Sequence, residues 1–562
     1  MNHPIFELLK FFKIKYKIIY LLSILSSIFE VIAFGLLGFL IVNFKDLNFK
    51  NINFFNYINL DYSLLPILII LSFFFKIIFQ ILNNYLISSK AWEMRNEVSN
   101  FLIKKFVFLN YLTLIKKHSG YIMNIINIEC TRSANFINFY FLLISKIISM
   151  IVMVIFLLVY NLKYTIVLLL INVILFLIFK NKIYSFSNNI GNLRLLYAKN
   201  HTIKLSDIID SIEEAKIWNF ENILVNDYYD VGSKVSEINR KYQFYPSLIV
   251  PLIEFFLILL SFTFFIFAYK NNFFNINFIG SFIIFLIISI RLFQSLSAIV
   301  TILMKFRSIQ ASIVFLLKEI KEKNITISNN DKENVNGKIV NIEAKNISFH
   351  YEGNKKILDN ASIEFKKNTI NAIIGNSGEG KSTFLNILTG LINQYHGELI
   401  INQNINLSTI NIKSYQSKIA YVTQKPYILN DTIENNITFN SKIFDKEKFN
   451  RAVKFANVDQ FVNKIDSKFK TILDQNGKNL SIGQLQRISL ARAFYRNPDI
   501  YLFDESTSAL DKDTQNKILD NIKLLKKDSI VIIVSHRLEV LSIADNIFEI
   551  KNKKFIKIND KD

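Results

Sequence analysis

Gly375-Asn376-Ser377-Gly378-Glu379-Gly380-Lys381-Ser382-Thr383 fits the pattern G-x-x-x-x-G-K-[ST], and its neighbours decide the fold of this part of the chain. Ile370-Asn-Ala-Ile-Ile374 before it is an apolar run of strand length; Phe384-Leu-Asn-Ile-Leu388 after it has helical spacing. A strand–loop–helix unit of this kind aims backbone N–H groups and a helix N-terminus at an anion. Gly375, Gly378 and Gly380 permit that backbone path, Lys381 is placed to reach phosphate oxygens, and Ser382 to offer a hydroxyl to Mg2+. A second apolar run, Ile500-Tyr-Leu-Phe503, ends in Asp504-Glu505, one carboxylate suited to Mg2+ and one to polarising an attacking water. Between the two runs stands Leu480-Ser-Ile-Gly-Gln484.

Working outward, 562 residues exceed what one core holds, so at least two domains are expected. Hydrophobic residues make up 51% of the chain, concentrated in its first part. The single cysteine, Cys130, excludes an intramolecular disulfide and fits a reducing compartment. No cleavable signal is evident over Met1–Lys17, and the first apolar span is expected to direct insertion. A net charge of +21 invites a nucleic-acid reading, but the cations flank hydrophobic spans, and no basic helix or aromatic-interleaved strand suggests a groove binder.

Six stretches are long and apolar enough to cross a bilayer, near 18–43, 64–88, 138–160, 163–180, 247–269 and 277–304. Lys10–Lys17 and the segments 90–136 and 180–245 hold 20 Lys and Arg; the alternate loops hold four, Lys45, Lys50, Lys163 and Lys270. That asymmetry puts both termini and the two long loops on the cytoplasmic side. The long loops keep helical periodicity, as in Phe101–Phe108, so the spans are expected to continue as helices beyond the membrane. The first ten residues suit an interfacial helix. Residues 318–336 are charged and aperiodic, and read as a linker between a membrane domain over 1–317 and an ATPase domain over 337–562.

Together these motifs resemble the nucleotide-binding domain of ATP-binding cassette (ABC) proteins over roughly residues 337–562, and the six spans resemble the membrane half of ABC exporters. The fold this implies is an N-terminal all-α six-helix transmembrane domain with long cytoplasmic extensions, followed by a C-terminal α/β P-loop domain. The resemblance also implies ATP and Mg2+ as cofactors, and residue roles. Tyr351 takes the place of the aromatic that stacks on adenine. Gln424 takes that of the Mg2+-sensing glutamine, and His536 that of the switch histidine at the γ-phosphate. Asp511 lies in the loop that crosses the family's dimer interface. Ser481, Gly483 and Gln484 form the signature that completes the opposite copy's ATP site, which implies a homodimer; a heterodimer is the other reading. Thr113–Ser119 and Ile217–Asn226 take the places of the two coupling segments. There are two departures: Ile482 stands where the family most often has glycine, and Gln475 where many exporters have glutamate.

Ionisable residues inside spans are functional candidates by default. Glu30, Lys76 and Arg291 are similar in position to charges of bacterial lipid-linked oligosaccharide flippases, which points to an amphiphile with an anionic head group. Structural pairing or snorkelling explains the same residues equally well. The resemblance implies ATP-driven export or flipping at a bacterial inner membrane, with peptide, toxin or drug export, or an ATP-gated non-pump, as alternatives.

Overall fold

The computed structural model describes Glu7 and residues 16–43, 64–160, 162–270, 276–322, 332–351, 356–439, 441, 443–474 and 477–558. Gln475 and most of the expected N-terminal helix therefore lie outside the described residues. The chain divides into two compact units: Met1–Leu109 with Thr113–Asn324, and Ile325–Asp562 with Asn110–Leu112.

The first unit is helical. Its long helices are α1 (Lys17–Asn43), α2 (Leu65–Val107), α3 (Cys130–Tyr160), α4 (Leu162–Trp218), α5 (Glu221–Lys270) and α6 (Ile276–Lys321). At about 1.5 Å per residue, the 57 residues of α4 rise about 85 Å, nearly three times the hydrocarbon thickness of a bilayer. Such a helix must project far beyond the apolar layer, as the periodicity of its polar half predicts. Among the described residues, Lys17–Leu37, Leu65–Val107, Ser119–Val159 and Ser289–Lys321 are long and apolar enough to cross a membrane. The spans expected near 163–180 and 247–269 fall largely on positions whose side chains lie outside the described residues, although α4 and α5 run through them as helix.

The core of this unit forms where α2, α3 and α6 meet. Phe136 and Phe306 stack with ring centroids 4.3 Å apart, flanked by buried Met94, Leu102 and Ile313. Isoleucine and phenylalanine side chains such as Ile67, Ile70, Phe74, Ile81 and Ile155 point outward, the opposite of a water-soluble surface. The charged run after 318 is helical further than the sequence suggests. Ile320 is buried against the core, and Glu319 accepts from Tyr121 Oη at 2.6 Å and from Lys117 Nζ at 3.0 Å, so α6 continues to Lys321.

Asn110–Leu112 cluster with the second unit, slightly ahead of the stretch expected to couple. Asn110 Nδ2 donates to Asn393 Oδ1 at 3.1 Å, and Tyr111 and Leu112 lie on the apolar core there. At the second such place α4 ends at Trp218 and α5 begins at Glu221, joined through Asn219 at φ 54°.

The second unit holds two sheets. β1 (Asn341–His350), β2 (Lys356–Lys366), β4 (His396–Ile401) and β5 (Ile405–Asn406) form an antiparallel sheet in the order β2-β1-β4-β5. β3 (Ile370–Ile374), β6 (Ile419–Val422), β7 (Ile500–Asp504), β8 (Ile530–Val534), β9 (Asn546–Lys551) and β10 (Lys554–Ile558) form the other, in the order β10-β9-β3-β8-β7-β6. All its neighbours are parallel except β9 and β10. β7 and β8 are buried at every position, as strands covered on both faces must be. β3 and β7 stand either side of β8, so their C-terminal ends open at one edge, where parallel sheets bind ligands.

Candidate functional site

β3 ends at Ile374 and the chain turns through the glycine-rich loop into α7 (Lys381–Leu388). Gly378 and Gly380 adopt φ of 86° and 102°, which L side chains rarely occupy. A Cβ on Gly380 would also lie 2.7 Å from Ile357 Cγ2, and one on Gly375 2.7 Å from Glu379 Oε2, so side chains would fill the cradle. Lys381 is buried and folds across the loop, donating to the carbonyls of Gly375 at 2.6 Å and Asn376 at 2.9 Å. Glu379 steadies the far side, accepting from Asn376 N at 2.7 Å and Asn376 Nδ2 at 3.0 Å.

β7 brings in the carboxylates. Asp504 Oδ2 accepts from Ser382 Oγ at 3.3 Å and from Tyr421 Oη at 3.2 Å. Burial pushes the Asp504 carboxyl above its ordinary range, against the pull of those hydrogen bonds. A hydroxyl and a carboxylate are hard oxygen donors of the kind Mg2+ takes. Among the described residues no group of three or more His, Cys, Asp or Glu side chains is arranged to hold a metal alone. The charge of a bound ion would favour the ionised form of Asp504.

Glu505 stands at φ 47°, a strained conformation for a residue with a side chain, and its amide donates to Val534 O at 3.0 Å. Gln424 Nε2 donates to Glu505 Oε2 at 2.7 Å, so the two residues read separately from sequence are one hydrogen-bonded pair. Tyr351 is 38% exposed, and its hydroxyl lies 3.4 Å from Thr383 Oγ1, beside the start of α7. His536 is exposed on the loop after β8.

The signature opens α8 (Ile482–Arg496). Ser481 is its N-cap in a reciprocal capping box: Gln484 N donates to Ser481 Oγ at 3.3 Å and Ser481 N to Gln484 Oε1 at 2.8 Å. Ile482 is exposed and helical, so nothing at its own position requires glycine. Gly483 differs: its Cβ would sit 2.8 Å from the Ala509 carbonyl oxygen. No hydrogen bond among the described residues joins Ser481, Gly483 or Gln484 to the phosphate loop. Asp511 caps α9 (Lys512–Leu525), accepting from Thr514 N at 2.9 Å, and that bond holds its carboxyl below the usual range.

Three residues of this network escaped the sequence reading. Tyr421 is the second partner of Asp504. Gln486 grips the loop after Glu505, donating to Ser508 Oγ at 3.2 Å and accepting from Ala509 N at 3.0 Å. Arg537, next to His536, donates to the carbonyl oxygens of Thr507 and Ser508 and to Gln515 Oε1 at 2.8 Å. The one signal was position, since each lies within three residues of a motif.

In the first unit, Lys76 Nζ lies 3.4 Å from Glu30 Oε1, the pairing alternative of the sequence reading. Arg291 Nη1 donates to Gln294 Oε1 at 3.2 Å and its guanidinium lies 5.2 Å from the centre of the Phe34 ring. Of the two cations expected to meet an anionic head group, Lys76 already has a counter-charge.

Residues 358–508 match the family model described as ABC transporter. The chain is similar to the ATP-dependent lipid A-core flippase of Haemophilus influenzae, 36% identical over 211 residues, which are 37% of this chain and 36% of the relative. It is 30% identical over 344 residues to the microcin-J25 export ATP-binding/permease protein of Escherichia coli, covering 61% of this chain and 59% of that protein. The chain spans about two fifths of the length of the first curated relatives it matches. Among solved structures, a bacterial Atm1-family ABC exporter with ATP bound superposes with TM-score 0.79 at 17% identity, covering 96% of this chain and 92% of that one. The fold is thus that of an ABC exporter.

Proposed function

We propose, from the match of residues 358–508 to the ABC transporter model, that the whole chain uses ATP hydrolysis to export or flip an amphiphile with an anionic head group, such as a lipid-linked glycan, across a bacterial inner membrane. The observation that carries this reading is the convergence of the Lys381 loop, the Ser382–Asp504 contact and the Gln424–Glu505 pair, on a chain whose other unit holds helices of membrane-spanning length. In this reading both termini and the ATPase unit are cytoplasmic, where the cation asymmetry of the loops places them.

The residues divide the chemistry. Lys381, released from its loop carbonyls, meets the phosphate oxygens, and Tyr351 offers a face to adenine. Ser382 and Asp504 would hold Mg2+, which when bound would neutralise charge on the phosphates. Glu505 orients the attacking water, and Gln424, bonded to it, sets where that carboxylate points. His536 meets the γ-phosphate. Ser481 and Gly483, at a capped helix start, contribute to the site of a second copy, so two identical chains close on two ATP molecules; a heterodimer remains the alternative assembly.

A second reading, peptide export, is favoured by the likeness to the microcin exporter. ATPase activity of the full chain in nanodiscs separates the two when it is titrated with polyprenyl-diphosphate glycans and, in parallel, with a peptide mixture. Saturable stimulation by the glycan lipid alone is expected; stimulation by peptides alone overturns the amphiphile reading. Glu505→Gln is expected to abolish turnover while ATP still binds, and Lys381→Ala to lose nucleotide binding. Near-wild-type turnover in Glu505→Gln would remove that residue from the chemistry.

A further inference from the structure

Where the helical segment leading into α3 meets α4 and α5, the first unit forms a half-open pocket of about 360 Å3, within the size range of small-molecule sites. Its residues precede the apolar stretch expected to cross the membrane at 138–160. Its lining includes Arg132, Arg194, Asn127 and Asn135 together with the aliphatic Val235 and Ile238.

The two arginines are not equivalent. Arg132 is buried and committed: Nη1 lies 2.7 Å from Glu129 Oε1 and 3.2 Å from Ser312 Oγ, and Nη2 donates to the Arg194 carbonyl at 3.3 Å. Arg194 has no carboxylate within ion-pair distance among the described residues. Its Nε donates to Asn239 Oδ1 at 3.1 Å, and its plane lies 3.8 Å from the centre of the Tyr242 ring. Those contacts fix the guanidinium yet leave its two terminal nitrogens without a hydrogen bond among the described residues. A held fork of N–H donors lining a pocket is the geometry that meets phosphate and carboxylate oxygens two at a time. Two guanidinium charges face one carboxylate, Glu129, and no acidic side chain lines the cavity, so an excess positive charge remains.

We propose that this cavity receives the phosphate-bearing head group of an amphiphile. The phosphate oxygens take the open edge of Arg194, and the first apolar atoms behind them lie on Val235 and Ile238. A phosphate suits better than a carboxylate because its additional acceptor oxygens reach the amide N–H groups of Asn127 and Asn135 as well. The volume exceeds what a free phosphate ion fills, and the aliphatic wall has no use for one. This inference rests on the amphiphile reading of the transport function and adds to it a head-group site outside the Glu30–Lys76–Arg291 region.

The test is calorimetry on the full-length protein in phosphatidylcholine nanodiscs, with ADP saturating the ATPase units so that the phosphate loops do not compete. Geranyl phosphate, inorganic phosphate and geraniol are titrated separately, and empty nanodiscs are subtracted. Saturable binding of geranyl phosphate is expected, weakened about tenfold or more by Arg194→Gln and, where that variant folds poorly, by Asn135→Asp at an exposed position of the wall. Three results overturn the site: no binding beyond empty nanodiscs, inorganic phosphate bound as tightly as geranyl phosphate, or binding lost in Arg291→Gln and kept in both cavity variants. Binding that depends on Arg194 without any stimulation of ATPase supports the site and counts instead against the cargo reading.

Discussion

Replacing Gly483 with alanine is the sharpest test of how the signature helix is seated. Its backbone lies in ordinary helical space, so propensity alone favours alanine by up to about 1 kcal/mol. The new Cβ would stand 2.8 Å from the Ala509 carbonyl oxygen, about 0.6 Å inside normal contact, and the atom it meets is backbone. Overpacking of that kind costs about 1–3 kcal/mol, so the net loss is about 0–3 kcal/mol, or at most about 12 °C in apparent unfolding temperature. Activity should suffer more than stability. Ala509 belongs to the loop that follows Glu505, and a shift of several tenths of an ångström there is expected to lower turnover about tenfold or more. ATPase assays and thermal unfolding of Gly483→Ala measure both, with Ile482→Ala as control, because Ile482 is exposed and meets nothing comparable. Wild-type turnover in Gly483→Ala would refute the close approach and its consequence together.

Gln486→Leu removes the acceptor of the Ala509 N–H and should cost about 1–3 kcal/mol, with turnover falling while ATP affinity holds; equal loss of affinity would argue for a collapsed domain instead. Glu30→Gln strips Lys76 of its counter-charge, and a double-mutant cycle with Lys76→Gln in nanodiscs should show coupling of about 1 kcal/mol or more; additive effects would dismiss the pair. At alkaline pH the buried tyrosines of the ATPase unit become the weak point. Burial pushes Tyr395 up to about 12 and Tyr415 up as well, so both hold their protons more tightly folded than unfolded. Their contribution is intact below the ordinary tyrosine value near 10 and is lost progressively as pH rises from there through the raised folded-state values. Tyr415→Phe should lower stability near neutrality by about 0.5–1.5 kcal/mol, through the lost bond to Leu388 O, and flatten the alkaline decline; an unchanged decline refutes the assignment.

The ATPase fold was legible because its elements announce themselves locally. Ile370–Ile374, Ile500–Phe503 and Ile530–Val534 are largely apolar, buried runs, and the candidate site residues Gly375, Asp504 and His536 follow within two positions of their ends. The helix through Lys321 was not legible, because its last turn is held by Glu319 buried against Tyr121 and Lys117, partners about 200 positions away. Periodicity registers apolar faces and cannot register a buried ion pair. The same limit hid the Gln424–Glu505 and Tyr421–Asp504 contacts, since each joins residues on two different strands or the loops after them.

Gln486 and Arg537 hold the same short loop from two sides, and this says how the site is organised. Thr507 and Ser508 give their carbonyls to Arg537, while the Ser508 hydroxyl and the Ala509 amide belong to Gln486. Arg537 neighbours the residue proposed to meet the γ-phosphate, and Gln486 lies on the helix that opens with the signature. A displacement of either is therefore carried by backbone hydrogen bonds to the other, without passing through the phosphate loop. If two copies share their ATP sites, each chain gives His536 to one and Ser481 to the other. The loop from Thr507 to Ala509 then links the two sites within a single chain through hydrogen bonds on both of its sides, and the absence of a side chain at Gly483 lets it lie against the signature helix.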